Sequence, residues 1–323
     1  MKIKQIILLM VIMTMMSGCV QNRQEKPVVG IAWSNKQDSY SFISTLKAVE
    51  AAGGIPRILE PVRSDDLEYD ENGKLINSQD EKGMLTREAA DLIKKNGYIH
   101  SDVERIMEGI DCLILPGGGD LSPNLYKEPQ ESHTIEGDLE YCAERDVSDY
   151  LLAQYCLEKD IPLLGICRGM QVLSVVSGAR MIQDIGTWFS ELGLEYHYLH
   201  RRKQKDEFTP HDVIITDRDS LLYRLMKKDV INNCPSWHHQ AVESLEGTDL
   251  SMTAYTETEG VNMIEAVERK DRAFVIGVQY HPEAAVRKIL EKEDNAGNYM
   301  PYEEAIALFK GLIEEAKVKR QSS

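Results

Sequence analysis

The stretch Pro162-Leu-Leu-Gly-Ile-Cys-Arg-Gly-Met-Gln171 constrains this chain more than any other. It reads as a short buried strand that stops at Cys167 and turns at once into a helix. Gly165 and Gly169 sit two positions before and two after the cysteine. Positions so close to a strand-to-helix crossing must be small, and the pattern is that of a nucleophile elbow carrying cysteine. A helix N-terminus also presents the positive end of its dipole to such a side chain, which suits a nucleophile. A cysteine that served only as a small buried hydrophobe would not need the glycine bracket.

The elbow sits in a wider alternation of short apolar strands and amphipathic helices. Strands are predicted at 28–33, 55–59, 112–115 and 163–166, and helices at 42–52 and about 139–158. This rhythm predicts an α/β domain, a three-layer sandwich with a mostly parallel central sheet. The second half is richer in strands, at 211–215, 252–255, 262–267 and 273–279, and a helix at about 302–316 closes the chain. Two polar segments, about 64–99 and 188–210, interrupt the alternation and read as insertions that shape access to a site. The first contains a helix from Thr86 to Lys95, and neither shows repeats, so residues 27–323 are taken as one domain.

The first 18 residues are a separate object. Lys2 and Lys4 precede an apolar run from Ile6 to Met16, followed by Ser17-Gly18-Cys19. The run is too short for a spanning helix and reads as a signal peptide. Its end resembles a bacterial lipobox, with Met16 where leucine is usual. Cys19 is then the lipidated residue, residues 19–26 a tether, and the protein an exported lipoprotein anchored to the cell envelope. The net charge of −16, from 53 acidic and 37 basic residues, disfavours nucleic acid and anionic membrane surfaces as partners. The short basic patch Arg201-Arg-Lys203 reads as a solvated loop. Cys112, Cys142, Cys156 and Cys234 match no zinc spacing, so no structural metal is expected; their pairing into disulfides is left open.

A cysteine nucleophile needs a base and donors for an oxyanion. His281 and Glu283, in Gly277-Val-Gln-Tyr-His-Pro-Glu283, are the candidate base and orienting acid. Pro282 and alternation along an extended segment are expected to bring both side chains to one side. His238 and His239 are the rival bases. The loop Pro116-Gly-Gly-Gly-Asp-Leu-Ser-Pro123 follows a strand but lacks the lysine of a phosphate loop. Backbone N–H groups of Gly118 or Gly119, with that of Arg168, are the candidate oxyanion donors.

These motifs, in this order, resemble the class I glutamine amidotransferase superfamily, and within it the gamma-glutamyl-gamma-aminobutyrate hydrolase family. Glu144-Arg-Asp146, Gln183-Asp-Ile185 and His238-His-Gln-Ala241 belong to the same resemblance, which spans about Val28 to Val286. It implies a flavodoxin-like, class I glutamine amidotransferase-like fold, with Cys167 as nucleophile, His281 as base and Glu283 as orienting acid. It also implies a glutamyl pocket near Gln171, His238, His239 and Gln240, no cofactor, and a side-chain pairing of Arg168 with Glu144 or Asp146. Ser174, Ser177-Gly178-Ala179 and Trp237 depart from the family pattern at the border of that pocket.

The activity so implied is hydrolysis of gamma-glutamyl amide bonds through a Cys-His-Glu triad and a thioester. The partners expected are a small gamma-glutamyl substrate and the membrane through the lipid anchor only, with a homodimer left open. The alternatives are a catalytically retired, lipid-anchored binding protein and an ammonia-donating amidotransferase subunit.

Overall fold

The computed structural model describes residues 26–130, 140–201 and 207–322. The predicted signal peptide, Cys19 and all of the tether but Lys26 lie outside them. In chain order the first elements are β1 (Val28–Ile31), α1 (Tyr40–Ala52), β2 (Ile55–Ile58), α2 (Arg87–Asn96), α3 (Val103–Ile106), β3 (Cys112–Leu115), α4 (Ala143–Lys159), β4 (Leu163–Ile166) and α5 (Arg168–Val176). There follow β5 (Arg180–Ile182), α6 (Ile185–Glu191), β6 (Thr209–Ile215), α7 (Leu221–Met226), β7 (Val230–Ser236), β8 (Ala241–Ser244), β9 (Ser251–Thr258) and β10 (Val261–Glu268). The chain closes with β11 (Val275–Val278), α8 (Pro282–Leu290) and α9 (Tyr302–Ser322).

Strands β3, β4 and β11 are aliphatic throughout apart from Cys112, Gly165 and Gly277, and every residue in them is buried. Such strands need cover on both faces, which parallel sheets receive from their crossover helices. The nine-stranded sheet has the order β2-β1-β3-β4-β11-β10-β9-β6-β7. Its first five strands pair in parallel, and the remaining pairings are antiparallel. The leading 2-1-3-4 order is that of flavodoxin-like folds. One face is covered by α4, α5 and the segment around α2, the other by α1, α7, α8 and α9. The three-layer α/β sandwich expected from the sequence is therefore present, and an antiparallel extension houses the strands of the second half.

The 64–99 segment departs from expectation. Leu67, Leu75 and Leu85 are buried in one cluster with Ala89, Ala90 and Ile93 of α2, so this segment completes the core rather than lying over it. It also carries a short tandem repeat that was not expected. Asp70-Glu-Asn-Gly-Lys74 and Asp80-Glu-Lys-Gly-Met84 form the same turn ten positions apart. In the first, Asp70 Oδ1 accepts from the N–H groups of Asn72 and Lys74, each at 2.8 Å. In the second, Asp80 Oδ1 accepts from Lys82 and Met84 at 2.8 and 2.9 Å. Gly73 and Gly83 both take φ +79°, which only glycine adopts without strain. The other predicted insertion, 188–210, begins inside α6.

Candidate active site

Open α/β sheets bind ligands beyond the carboxyl ends of their parallel strands, and the candidate residues gather there. Cys167 follows β4, the glycine loop follows β3, His281 lies just after β11, and Ser41 lies past β1 in the first turn of α1. Cys167 takes φ +51° and ψ −106°, a conformation that costs a non-glycine residue about 1–3 kcal/mol. The surroundings impose it. The Cys167 N–H donates to Val278 O at 2.7 Å, fixing the turn to β11. A Cβ at Gly165 would stand 2.6 Å from Gly169 O, and one at Gly169 would stand 2.0 Å from Leu115 O. The bracket is thus a contact between three backbones, and any side chain there would push strand and helix apart.

His281 and Glu283 come together, but not by alternation along a strand. Pro282 opens α8, His281 is its N-cap residue, and Glu283 sits in the first turn. Proline suits the first helical position, where no N–H is needed. The carboxylate is favoured by the helix dipole at that position. Glu283 Oε1 lies 2.6 Å from His281 Nδ1, and both side chains are buried. Burial alone would lower the His281 pKa, but the charges of Glu283 and Cys167 and their hydrogen bonds outweigh it and hold it up at about 10. The imidazole beside Cys167 therefore favours its protonated form. Ser41 adds a third member, because its hydroxyl donates to Glu283 Oε1 at 2.6 Å. Gly117 lets the loop approach, since a Cβ there would stand 2.8 Å from His281 Cε1.

Behind the glycine loop lies a buried network of two cations and two anions. Arg145 donates to the carbonyls of Pro116 and Gly117, each at 2.9 Å. Its guanidinium fills the space a side chain at Gly118 would need, 1.9 Å from the position of such a Cβ. Arg168 pairs with Asp146 at 2.5 Å and also with Asp149, while Arg145 Nε lies 3.3 Å from Asp149. Of the two predicted partners of Arg168, Asp146 is found. Glu144 turns instead to the 64–99 segment and accepts from Leu75 N–H and Gln79 Nε2, each at 2.9 Å. Asp146 also accepts from Ser122 N–H at 3.1 Å. Burial and Arg168 push the Arg145 pKa down to about 10, and burial raises that of Asp146. The network locks glycine loop to elbow, and removing one member would leave a buried charge unpaired at a cost of about 3–5 kcal/mol.

The loop after β7 supplies the opposite wall. Cys167 Sγ lies 3.9 Å from Trp237 O. Gln171 is buried, and its amide donates to Gln240 O at 3.0 Å and Gln279 Oε1 at 3.2 Å. Gln240 holds the far end of the glycine loop by accepting from Leu121 N–H at 3.0 Å. His239 is clamped between Asp120, 2.7 Å from Nε2, and Asp184, 3.3 Å from Nδ1. Burial opposes its charge, yet these carboxylates raise its pKa to about 9. His238 turns the other way, its ring 2% exposed and 3.7 Å from Glu265.

Two cavities meet at Cys167, Gly118, Gly119, Glu140 and Trp237. The smaller, about 240 Å³, adds Asp120, Gln171, Arg201, His239 and Gln240 to its wall. The larger, about 430 Å³, runs past His281 between Tyr40, Phe208 and Trp237, with Lys36, Glu207 and Lys288 also in its lining.

The Peptidase C26 family pattern matches residues 92–283, more than half the chain and all of the elements just described beyond α1. The chain belongs to the Peptidase C26 family. Protein NtpR of Enterococcus hirae is 36% identical over 177 residues, covering 55% of this chain and 68% of that protein. A gamma-glutamyl-gamma-aminobutyrate hydrolase of Escherichia coli O157:H7 is 26% identical over 183 residues, covering 56% and 67%. Among solved structures, a GMP synthase protein from Thermoplasma acidophilum superposes with a TM-score of 0.50 at 14% identity, covering 92% of this chain and 98% of that one. That likeness concerns the fold: a class I glutamine amidotransferase architecture. Membership in the C26 family makes this chain a cysteine-dependent enzyme of the hydrolase and amidotransferase-like type.

Several residues of this C26 site carry no signal in the sequence. Ser41 follows an unremarkable Asp-Ser-Tyr, and only the sheet order brings it beside Glu283, 242 positions away. Arg145 and Asp149 lie one turn apart on α4 and look like a surface ion pair until their burial is known. Arg201 belongs by sequence to a solvated basic patch, yet it lines the polar cavity and stacks over Trp237 with 5.3 Å to the ring centre.

Proposed function

We propose that this protein hydrolyses gamma-glutamyl amide bonds, with Cys167 as nucleophile. The single observation that carries the reading is the position of Cys167 where a small polar cavity joins a larger aromatic one, with the His281–Glu283 pair at the junction. The likeness to a gamma-glutamyl-gamma-aminobutyrate hydrolase supports the same substrate class. The glutamyl group occupies the polar cavity, where Arg201 faces its carboxylate and Asp120 and Glu140 face its ammonium group. The leaving amine lies in the larger cavity, whose 430 Å³ exceeds what ammonia needs and favours hydrolysis of a substituted amide over ammonia donation.

In the first step the Cys167 thiolate adds to the side-chain carbonyl carbon, and the N–H groups of Arg168 and of Gly118 or Gly119 hold the oxyanion. The C–N bond then breaks as imidazolium His281 gives its proton to the departing amine. Water, deprotonated by His281, next attacks the thioester and releases glutamate and the thiolate. Glu283 holds Nδ1–H throughout, leaving Nε2 for proton transfer.

Gamma-glutamyl-p-nitroanilide and a panel of gamma-glutamyl amines test the reading. Wild-type protein should turn over members of the panel, and Cys167→Ser should lose about 10⁴-fold or more. Iodoacetamide should label Cys167 ahead of Cys112, Cys142, Cys156 and Cys234, all of which are buried. Absence of turnover across the panel, together with unselective labelling, would falsify the proposal.

A further inference from the structure

Behind the loop that carries Trp237, four side chains from four separate segments converge. His200 comes from the link between α6 and β6, His211 from β6, His238 from the loop after β7, and Glu265 from β10. All four are buried, with side-chain exposures of 0 to 2%. Glu265 Oε1 lies 3.3 Å from His200 Nδ1 and 3.7 Å from both His211 Nε2 and His238 Nε2. All four donor atoms fall within 4.8 Å of one another.

The outer nitrogens of these rings are already engaged. His238 Nδ1 is 2.9 Å from Gln240 O. A carbonyl only accepts, so Nδ1 carries the proton. His211 Nδ1 is 3.0 Å from Thr256 Oγ1, whose own proton goes to Asp212 O at 2.6 Å. His211 Nδ1 is therefore a donor as well. His200 Nε2 contacts Thr258 Oγ1 at 2.9 Å.

This leaves the inner nitrogens of neutral His211 and His238 pointing lone pairs at a carboxylate, which repels them. Extra protons there would instead set two imidazoliums against one carboxylate in a dry interior. The inner nitrogens of all three rings and both oxygens of Glu265 have no hydrogen-bond partner. Five such orphans in one place run against the general satisfaction of buried polar atoms.

We propose that these residues bind a divalent transition-metal ion, zinc being the best match. A cation at the centre meets all three lone pairs and the carboxylate at once. A tetrahedral zinc ion with bonds of about 2.0–2.1 Å places its donors about 3.3–3.4 Å apart, close to the three distances to Glu265. Three imidazoles and one carboxylate form a borderline donor set that suits zinc over magnesium or calcium. Each ring donates its outer N–H to an oxygen, as ligating histidines commonly do. Four protein ligands close the shell, so the ion is structural. It fastens the link carrying His200 and the loop carrying Trp237 to the sheet, and so holds one wall of the cavities at Cys167. The expectation of no structural metal rests on cysteine spacing alone. These ligands include no cysteine and span positions 200 to 265 without a local motif.

The test uses the full chain, loaded with zinc, freed of excess metal by gel filtration, and analysed by plasma mass spectrometry. Wild type should retain about one equivalent, and Glu265→Gln and His211→Ala should each retain at least roughly tenfold less. Cobalt(II) in place of zinc should give wild type the intense visible bands of a tetrahedral site, and zinc should raise its Tm while leaving that of Glu265→Gln unmoved. Should both variants fail to fold, the stoichiometry and cobalt spectrum of wild type alone decide. Retention below about a tenth of an equivalent by wild type overturns the proposal. So does retention unchanged in both variants, or a cobalt spectrum of an octahedral ion.

Discussion

His238 and His239 are neighbours in sequence, yet they belong to opposite kinds of histidine site. On the cavity side, His281 and His239 each have carboxylates at 2.6 to 2.7 Å, and His239 has two acids to itself. On the buried side, three imidazoles share the single carboxylate of Glu265 at 3.3 to 3.7 Å. The ratio of acids to rings decides what each site can hold. With at least one close carboxylate per ring, the pKa rises to about 9 for His239 and about 10 for His281, and the rings keep protons. With three rings per carboxylate, a proton on each would leave uncompensated charge in the core, and lone pairs remain for a metal ion. One short loop thus separates a proton-handling wall from a metal-binding interior.

The largest expected effect lies in the closest pair. Glu283→Gln keeps the shape but removes the charge that holds the His281 proton. The turnover rate should fall by about 10²–10⁴-fold. The pH dependence carries the sign. Wild-type turnover needs imidazolium His281 to protonate the leaving amine, so activity should decline as pH rises through about 10. Without Glu283 the pKa falls, and the alkaline limb of the pH–rate profile should move to lower pH. A limb that stays in place would mean that Glu283 does not set the charge of this ring.

A smaller effect is expected at Ser41, which donates to Glu283 at 2.6 Å and lies 3.4 Å from His281 Nδ1. Ser41→Ala removes one hydrogen bond to a charged group, worth about 1.5 kcal/mol, or about tenfold in rate. If Ser41 acts by positioning Glu283, kcat should fall while KM for the p-nitroanilide is unchanged. An equal loss through KM would place Ser41 in substrate binding instead.

The two kinds of site also differ in how far the sequence reveals them. Cys167 is legible because Gly165 and Gly169 must let three backbones touch, and steric need leaves a local mark. His281-Pro-Glu283 is legible as a triplet, although the reason is different: proline starts a helix here instead of ending a strand. The cluster around Glu265 leaves no such mark, since its members meet only through the pairing of β6 with β9 and of β9 with β10. Long-range register also hides Ser41 and turns a polar 64–99 segment into part of the core. Local geometry is written in neighbouring residues, whereas convergence across a sheet depends on pairings that no short motif encodes.

The smallest effect is one of stability, and it tests whether His239 is truly a proton-holding site. Its pKa rises from 6.5 to about 9, because the pairing with Asp120 and Asp184 outweighs burial. A group with a raised folded-state pKa stabilises in full below its unfolded pKa, and the gain is lost as pH rises through the folded one. The window is therefore pH 6.5 to about 9, and the gain there is about 1–3 kcal/mol. Asp184 runs the other way. Its pKa drops from 3.8 to about 2, the His239 bond overcoming burial, so its share is lost only as pH falls towards 2. Urea midpoints of wild type should decline between about pH 7 and 10 more steeply than those of His239→Gln, because glutamine has no proton to lose. The difference between the two curves removes the contribution of His281, which both proteins share. Parallel curves would show that His239 releases no proton in this window and that its acids do not set it apart from the rings around Glu265.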